Sequence, residues 1–209
     1  MQVELLPVTA FQQNCSLIWD DEKNAAIIDP GGDAQKIIKR VEELGLNVKA
    51  ILLTHGHLDH VGAAEELKKH FGVEILGPQK EDKFWLDGLH QQALQFGLKE
   101  VDAFEPDRWL EDGEVLKIGD IDLEVLHLPG HTPGHVGFIN KAHNVAFTGD
   151  VLFQQSIGRT DFPRGNHADL IASIKNKLFP LGDKMIIVAG HGQPTTVGEE
   201  RQYNPYLKN

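Results

Sequence analysis

The strongest constraint on this chain is a short polar turn set at the end of an apolar run. Val48–Thr54 (VKAILLT) reads as a strand covered on both faces, and it leads straight into His55-Gly56-His57-Leu58-Asp59-His60. Imidazole nitrogens and carboxylate oxygens bind borderline divalent metals at about 2.0–2.2 Å. His55 and His57, two residues apart in a turn leaving a strand, can converge on one ion. Asp59 and His60 belong to the next turn and suit a second ion, while Gly56 permits the tight turn and leaves room for metal. A lone His-x-His is weak evidence, but the full pattern after a buried strand is not.

Three further candidates end other predicted strands. His131 lies in Pro129-Gly130-His131-Thr132-Pro133-Gly134-His135, Asp150 follows VAFTG, and His191 follows IIVAG. Together with the first turn they make a metal site from His55, His57, Asp59, His60, His131, Asp150 and His191. His135 is assigned a supporting role. His70, His90, His127, His143 and His167 carry no pattern and are read as ordinary surface or structural residues. Asp29, in IIDPGG, is read as a turn former beneath the site, and Cys15 as a small buried apolar residue.

The rest of the pattern supplies a scaffold. Residues 1–8, 15–19, 24–28, 73–76, 115–118, 121–127, 136–139, 144–148 and 185–189 read as strands. Helices are predicted from an Asp33 cap through about Gly45, over 61–71 and over 168–179, with a helical excursion over 79–98. Strands, helix, strand, helix and then strands, helix, strand imply an α/β (α+β) chain with two mostly β layers flanked by helices. A length of 209 residues allows one large layered domain over 1–209.

Composition narrows the partners. With 20 Lys+Arg against 31 Asp+Glu the net charge is −11, which argues against nucleic-acid and anionic-membrane surfaces. No run approaches the roughly 20 apolar residues of a membrane helix, and the N-terminus lacks a signal-peptide pattern. The single Cys15 excludes an internal disulfide framework and a thiolate-rich metal site, and suits a reducing cytoplasm. A small-molecule substrate and a monomer or small homo-oligomer are expected.

Taken together, THGHLDH (54–60), PGHTPGH (129–135), TGD (148–150) and AGHG (189–192) resemble, in order and over nearly the whole chain, the motifs of the metallo-β-lactamase superfamily. The resemblance implies a four-layer αβ/βα sandwich with two mixed sheets and a dinuclear site at the sheet edges. It implies that His55, His57 and His131 hold a first metal, that Asp59, His60 and His191 hold a second, and that Asp150 bridges them. Zinc is the first expectation, with iron or manganese able to occupy the same ligand set. Asp150 stands where the Cys-containing β-lactamases place a Cys, which argues against that activity.

Within the superfamily the chain resembles type II glyoxalases (hydroxyacylglutathione hydrolases), in particular their short bacterial YcbL-like branch, through the further segment Gly158-Arg159-Thr160-Asp161-Phe162-Pro163-Arg164-Gly165. The resemblance implies hydrolysis of a thioester such as S-lactoylglutathione, a step of methylglyoxal detoxification. A metal-bridging hydroxide would attack the carbonyl, with Asp59 and Asp150 as the catalytic carboxylates. Arg159, Arg164 and Phe162 are the expected substrate contacts. Longer family members add a C-terminal glutathione-binding helical domain, which the eighteen residues after His191 are too few to form. The rival reading is an iron-dependent glutathione persulfide dioxygenase, whose three ligands match His55, His131 and Asp150.

Overall fold

A computed structural model describes residues 1–208. Five strands form the first sheet, in the spatial order β1 (Gln2–Val8), β2 (Gln13–Trp19), β3 (Asn24–Ile28), β4 (Asn47–Leu52) and β5 (Glu74–Leu76). β1–β3 are antiparallel, and β3–β5 run parallel through crossovers that contain α1 (Ala34–Leu44), α2 (Leu58–Val61) and α3 (Ala64–Phe71). The second sheet begins with the antiparallel run β6 (Val115–Ile118), β7 (Ile121–His127), β8 (Val136–Asn140) and β9 (Val145–Gly149). A small hairpin of β10 (Leu152–Phe153) and β11 (Ser156–Ile157) follows. β12 (Ile186–Ala189) joins β9 in parallel and β13 (Thr195–Thr196) closes the sheet antiparallel to β12.

Alternation along the strands explains the layering. Leu17, Ile27 and Ile51 face a core shared with Ile37, Val41 and Leu67 of α1 and α3. Their neighbours Ile18, Ile28 and Leu52 face the opposite way, onto Phe138, Phe147 and Val188 of the second sheet. Ile139, Ala146 and Ile187 then point outward to Leu170 of α6 (His167–Ser173) and Val197 of α7 (Val197–Tyr203). The central strands are therefore apolar on both faces where they are covered, as over Ala25–Ile28 and Ala50–Leu52. Two mixed sheets flanked by helices are the sandwich of the metallo-β-lactamase fold.

Several elements differ from the sequence reading. The helix expected over 61–71 is broken after α2, because Ala63 N–H donates to the Pro30 carbonyl at 2.9 Å instead of continuing the helix. Asp33 precedes α1 but does not cap it with its side chain. Its backbone is left-handed at φ 52°, and its carboxylate accepts from Thr9 N–H at 2.8 Å. The helix expected over 168–179 ends at Ser173 and continues as a wider turn over Ile174–Leu178 and a tight one over Phe179–Leu181. The excursion over 79–98 becomes a tight turn at Lys80–Asp82, α4 (Lys83–Asp87) and α5 (Leu89–Phe96). β10, β11, β13 and α7 were not foreseen; the strands among them are two residues long, too short to show a period.

The geometry of the sandwich places the ends of β3, β4, β7, β9 and β12 along one edge. The two sheets are tied there by Val136 N–H to the Thr54 carbonyl at 2.8 Å and Asn14 N–H to the Gly190 carbonyl at 2.7 Å. Beneath this edge the Asp29–Gly32 turn packs directly under the Leu58–His60 turn. A Cβ on Gly31 would overlap the Asp59 carbonyl. Gly31→Ala should therefore force the Asp59 turn outward at a cost of about 1–3 kcal/mol, as for other overpacked sites. Denaturant unfolding and metal content should both fall; a variant unchanged in both would show that the two turns are not in the contact described.

Candidate metal centre

Four of the five ligand histidines are held by their other ring nitrogen, and those bonds assign the tautomer. Thr54 Oγ1 donates to Asp29 Oδ2 at 2.6 Å, so it accepts from His55 Nδ1–H at 3.0 Å. His131 Nδ1–H donates to the Arg159 carbonyl at 2.7 Å. His60 Nδ1–H donates to Asp29 Oδ2 at 2.9 Å, and His191 Nδ1 faces the Phe11 carbonyl at 3.3 Å. In all four the Nε2 lone pair is left pointing inward. His57 is held differently, by the edges of Trp85 and Phe162 at centroid distances of 4.5 and 5.1 Å, and turns Nδ1 to the same point.

The lone pairs converge in two groups. His55 Nε2 and His131 Nε2 lie 3.1 and 3.0 Å from His57 Nδ1. His191 Nε2 lies 3.1 Å from Asp59 Oδ2, which is 3.7 Å from His60 Nε2. Within each group the ligand atoms fall inside 4.8 Å of one another. Asp150 sits between them, its Oδ1 3.3 Å from His60 Nε2 and its Oδ2 3.7 Å from His131 Nε2 and 3.6 Å from His191 Nε2. A Cβ on Gly190 would strike Asp150 Oδ1, so that position must be glycine for the carboxylate to stay central.

The donor set fits divalent cations. His60 Nε2 and Asp150 Oδ1 are fully buried with no hydrogen-bond partner in the protein, although buried polar atoms rarely go unpaired. A cation between acceptors satisfies both. The electrostatics agree. Burial, reinforced by neighbouring imidazoles, pushes His55 and His135 well below the usual histidine range and His57 down to about 3. Burial also lowers His131. Burial opposes charge on Asp150 and Asp59 too, but His60 beside them holds both below the usual carboxylate range. Neutral imidazoles and ionised carboxylates are the ligand forms a metal requires. Burial disfavours charge on His60 and His191, yet the facing Asp150 and Asp59 raise both.

Of the residues behind the ligands, His135 has the supporting role expected of it, whereas Asp82 and Gln92 carry no signal in the sequence. His135 is stacked on His55 at 18° and 4.6 Å, and accepts Asp150 N–H at 3.1 Å. Asp29 is more than a turn former: its carboxylate takes Thr54 N–H at 2.7 Å, Thr54 Oγ1 and His60 Nδ1. Asp82, fully buried, accepts Gly56 N–H at 2.8 Å, Thr132 Oγ1 at 2.8 Å and Gly134 N–H at 2.6 Å, joining the two histidine turns. Burial pushes its carboxyl up to about 6 against those bonds. Gln92 accepts Leu58 N–H at 2.9 Å and donates to the Trp85 carbonyl at 2.9 Å. His127 and His143 bond to Pro133 and Asn140, and His70 lies 3.9 Å from Glu42, so none of the three joins the ligand groups.

A cavity of about 880 Å³ opens over the ligands and reaches His57, Asp59, His131, Asp150 and His191 on its floor. Arg159 and Phe162 lie on its wall, whereas Arg164 is not among its lining residues. Arg164 bonds Glu81 at 2.6 Å and stacks 4.7 Å over Phe84.

The family model of the metallo-beta-lactamase superfamily matches residues 8–191, the span that contains every ligand above. The chain belongs to the metallo-beta-lactamase superfamily. It is 64% identical over 210 residues to a protein of Haemophilus influenzae named hydroxyacylglutathione hydrolase GloC, covering 100% of this chain and 99% of that one. Its fold superposes on the crystal structure of BLEG-1, titled a B3 metallo-beta-lactamase, with a TM-score of 0.93, 38% identity and full coverage of both chains. A di-iron-bound form of TTHA1623 matches with a TM-score of 0.90 and 36% identity over 98% of this chain and 100% of that one. The chain is thus a metallohydrolase that uses divalent metal ions.

Two outcomes test this account. Asp82→Asn places an amide N–H against Gly56 N–H or Gly134 N–H, and should weaken metal affinity by about 10–100-fold, the usual cost of losing an outer-shell partner. Competition with a chromogenic chelator measures it, and an unchanged affinity would mean that Asp82 does not hold the turns. The second concerns acid. In chelated protein the buried His55, His57, His131 and His135 resist protons that the unfolded chain accepts below about pH 6.5. Their contribution is full above that value and is lost as pH falls. His60 and His191, raised, act in the opposite sense but are two against four. The denaturant midpoint of chelated protein should drop between pH 7.5 and 5.5; a rising midpoint would contradict the neutral assignment.

Proposed function

We propose that this protein hydrolyses a thioester such as S-lactoylglutathione, giving a 2-hydroxy acid and a free thiol, with two zinc ions in the Asp150-bridged site. The observation that carries the reading is the pair of ligand groups sharing one carboxylate on the floor of an open cavity. The name of the Haemophilus influenzae relative supports the substrate class. His55, His57 and His131 would hold one ion, Asp59, His60 and His191 the other, and Asp150 both. Such ions lower the pKa of a water towards about 7 and polarise a carbonyl oxygen.

The chain's own residues provide the rest. Asp59 comes from the first turn of α2 with its carboxylate about a fifth exposed, so one side faces the cavity while Oδ2 faces His191. That side can accept a proton from an attacking water and so orient it. The main chain at Asp150 is fixed by the bond from its own N–H to His135 Nε2, which sets where its side chain leaves the backbone. Phe162 and Trp85 cover His57 and keep bulk water from that end of the site. Arg159 stands at the cavity wall as the nearby cation for an anionic substrate, although its guanidinium pairs with Asp161 at 2.6 Å. The setting in this reading is the cytoplasm, in keeping with a single, buried Cys15. Among the described residues no helix is long and apolar enough to cross a membrane.

The test is elemental analysis of protein purified without chelators, paired with S-lactoylglutathione hydrolysis followed by thiol release. About two metal ions per chain and turnover that chelation abolishes are expected. Asp150→Ala should lower the metal content to one ion or less and remove activity. Iron occupancy with oxygen consumption on glutathione persulfide, and no thiol release from the thioester, would replace this reading with the dioxygenase one.

A further inference from the structure

The cavity above the metal centre is built from aromatic rings. Trp85 and Phe162 form one wall, their rings 6.1 Å apart and edge-on, with Phe84 packed 4.9 Å from Trp85. Phe153 stands on the other wall, 6.4 Å from the His191 ring. At the rim Phe11 and Phe96, from the β1–β2 connection and the end of α5, meet edge to face at 6.3 Å. Both of these rings are left 42–43% exposed, although burial of a phenylalanine is strongly favourable. Two half-bare phenyl rings meeting across the mouth of an aromatic cavity make a surface for an apolar ligand.

Charge in the cavity points the same way. Among the described residues, Arg159 is the only lysine or arginine on the lining. One edge of its guanidinium, Nε and Nη2, donates to Asp161 at 2.7 and 2.6 Å, and its face lies 4.1 Å over Phe162. Arg164, nearby in the sequence, is likewise committed to Glu81 and Phe84. A peptide thiol with two carboxylates would therefore meet mainly aromatic rings, with the amides of Gln91, Gln92 and Gln95 and a single cation already paired with Asp161. A desolvated carboxylate without a partner is costly, whereas a phenyl or branched alkyl group matches these walls.

We infer that the aromatic cavity is a binding site for an apolar group, aromatic or branched aliphatic, carried next to the scissile thioester. The substrate class is then apolar thioesters, which this enzyme hydrolyses in preference to S-lactoylglutathione. The inference rests on the thioesterase reading above. The apolar group can belong to the acyl half or to the thiol half, since both flank the carbonyl and the chemistry of recognition is the same.

Metal-loaded full-length protein is assayed on three thioesters. S-mandeloylglutathione replaces the methyl of the lactoyl group by phenyl and keeps the thiol. The lactoyl thioester of 2-phenylethanethiol keeps the acyl group and replaces the thiol. S-lactoylglutathione is the reference. At least one phenyl-bearing thioester should exceed the reference in kcat/KM by about 10–100-fold, the usual discrimination of an apolar pocket for a buried ring, with the gain in KM. The arm that responds assigns the half that is bound. In Trp85→Ala and in Phe162→Ala that ratio should collapse towards one; metal content and thermal unfolding of each variant are measured alongside. Reference turnover equal to or above both phenyl thioesters overturns the inference and leaves the thioesterase reading standing. A preference that survives in both variants overturns the assignment to this cavity. Hydrolysis of none of the three overturns the thioesterase reading and the inference with it.

Discussion

The carboxylate of Asp29 holds the metal edge of the molecule together. It ends β3, accepts both the N–H and the hydroxyl of Thr54 at the end of β4, and takes the Nδ1 proton of His60 in α2. The hydroxyl it engages in turn fixes the tautomer of His55. One buried side chain thus sets the lone-pair direction in both ligand groups. Asp29 reaches this position with a left-handed backbone at φ 51°, a conformation that aspartate tolerates better than most residues. The Pro30-Gly31-Gly32 turn that follows lets the chain pass beneath Asp59 without a side chain in the way.

Asp82 and Gln92 play the matching part on the other flank. The short helical segment between β5 and β6 carries two buried polar side chains whose bonds reach the backbone of the His55–Leu58 turn and the Thr132 hydroxyl and Gly134 N–H of the second histidine turn. Ligand geometry in this centre is consequently set by hydrogen bonds to main chain and to second ring nitrogens, not by the ligands alone. This explains how short turns can hold the His55 and His131 ring nitrogens within 3.1 Å of that of His57.

Much of this architecture can be read from the sequence, because the signals are local. The apolar runs ending at Thr54, Thr148 and Ala189 are strands buried on both faces, and a histidine or aspartate following each is legible without any structure. Asp29 and Asp82 are not legible in that way. Asp29 sits beside the proline and glycines of an ordinary turn signal, and Asp82 lies among the charged residues Lys80–Lys83 at the start of the 79–98 excursion, where nothing local marks one of them as buried. Their roles depend on contacts made 25 to 52 residues away, and no local period encodes those. The break after α2 has the same origin: Pro30, distant in sequence, supplies the carbonyl that captures Ala63. The state of Arg159 and Arg164 was also beyond reach, since a basic loop looks the same whether or not its cations are paired.

An acidic protein with an aromatic cleft over a cluster of charges is coherent on physical grounds. The net charge of −11 belongs to the chain as a whole, whereas the cavity floor carries Asp59 and Asp150, both held, against burial, below the usual carboxylate range by His60. Aromatic walls lower the local dielectric and exclude water, which strengthens each of those interactions and any stabilisation of charge that develops on a reacting carbonyl. The same rings that favour an apolar substrate group also sharpen the electrostatics of the floor. Trp85 and Phe162 show the coupling directly: they line the cavity and, through their edges, hold His57, the one ligand histidine whose second ring nitrogen has no hydrogen-bond partner. Substrate selection and ligand orientation are therefore carried by one set of side chains, so a change in the wall alters the metal centre as well as the fit of the substrate.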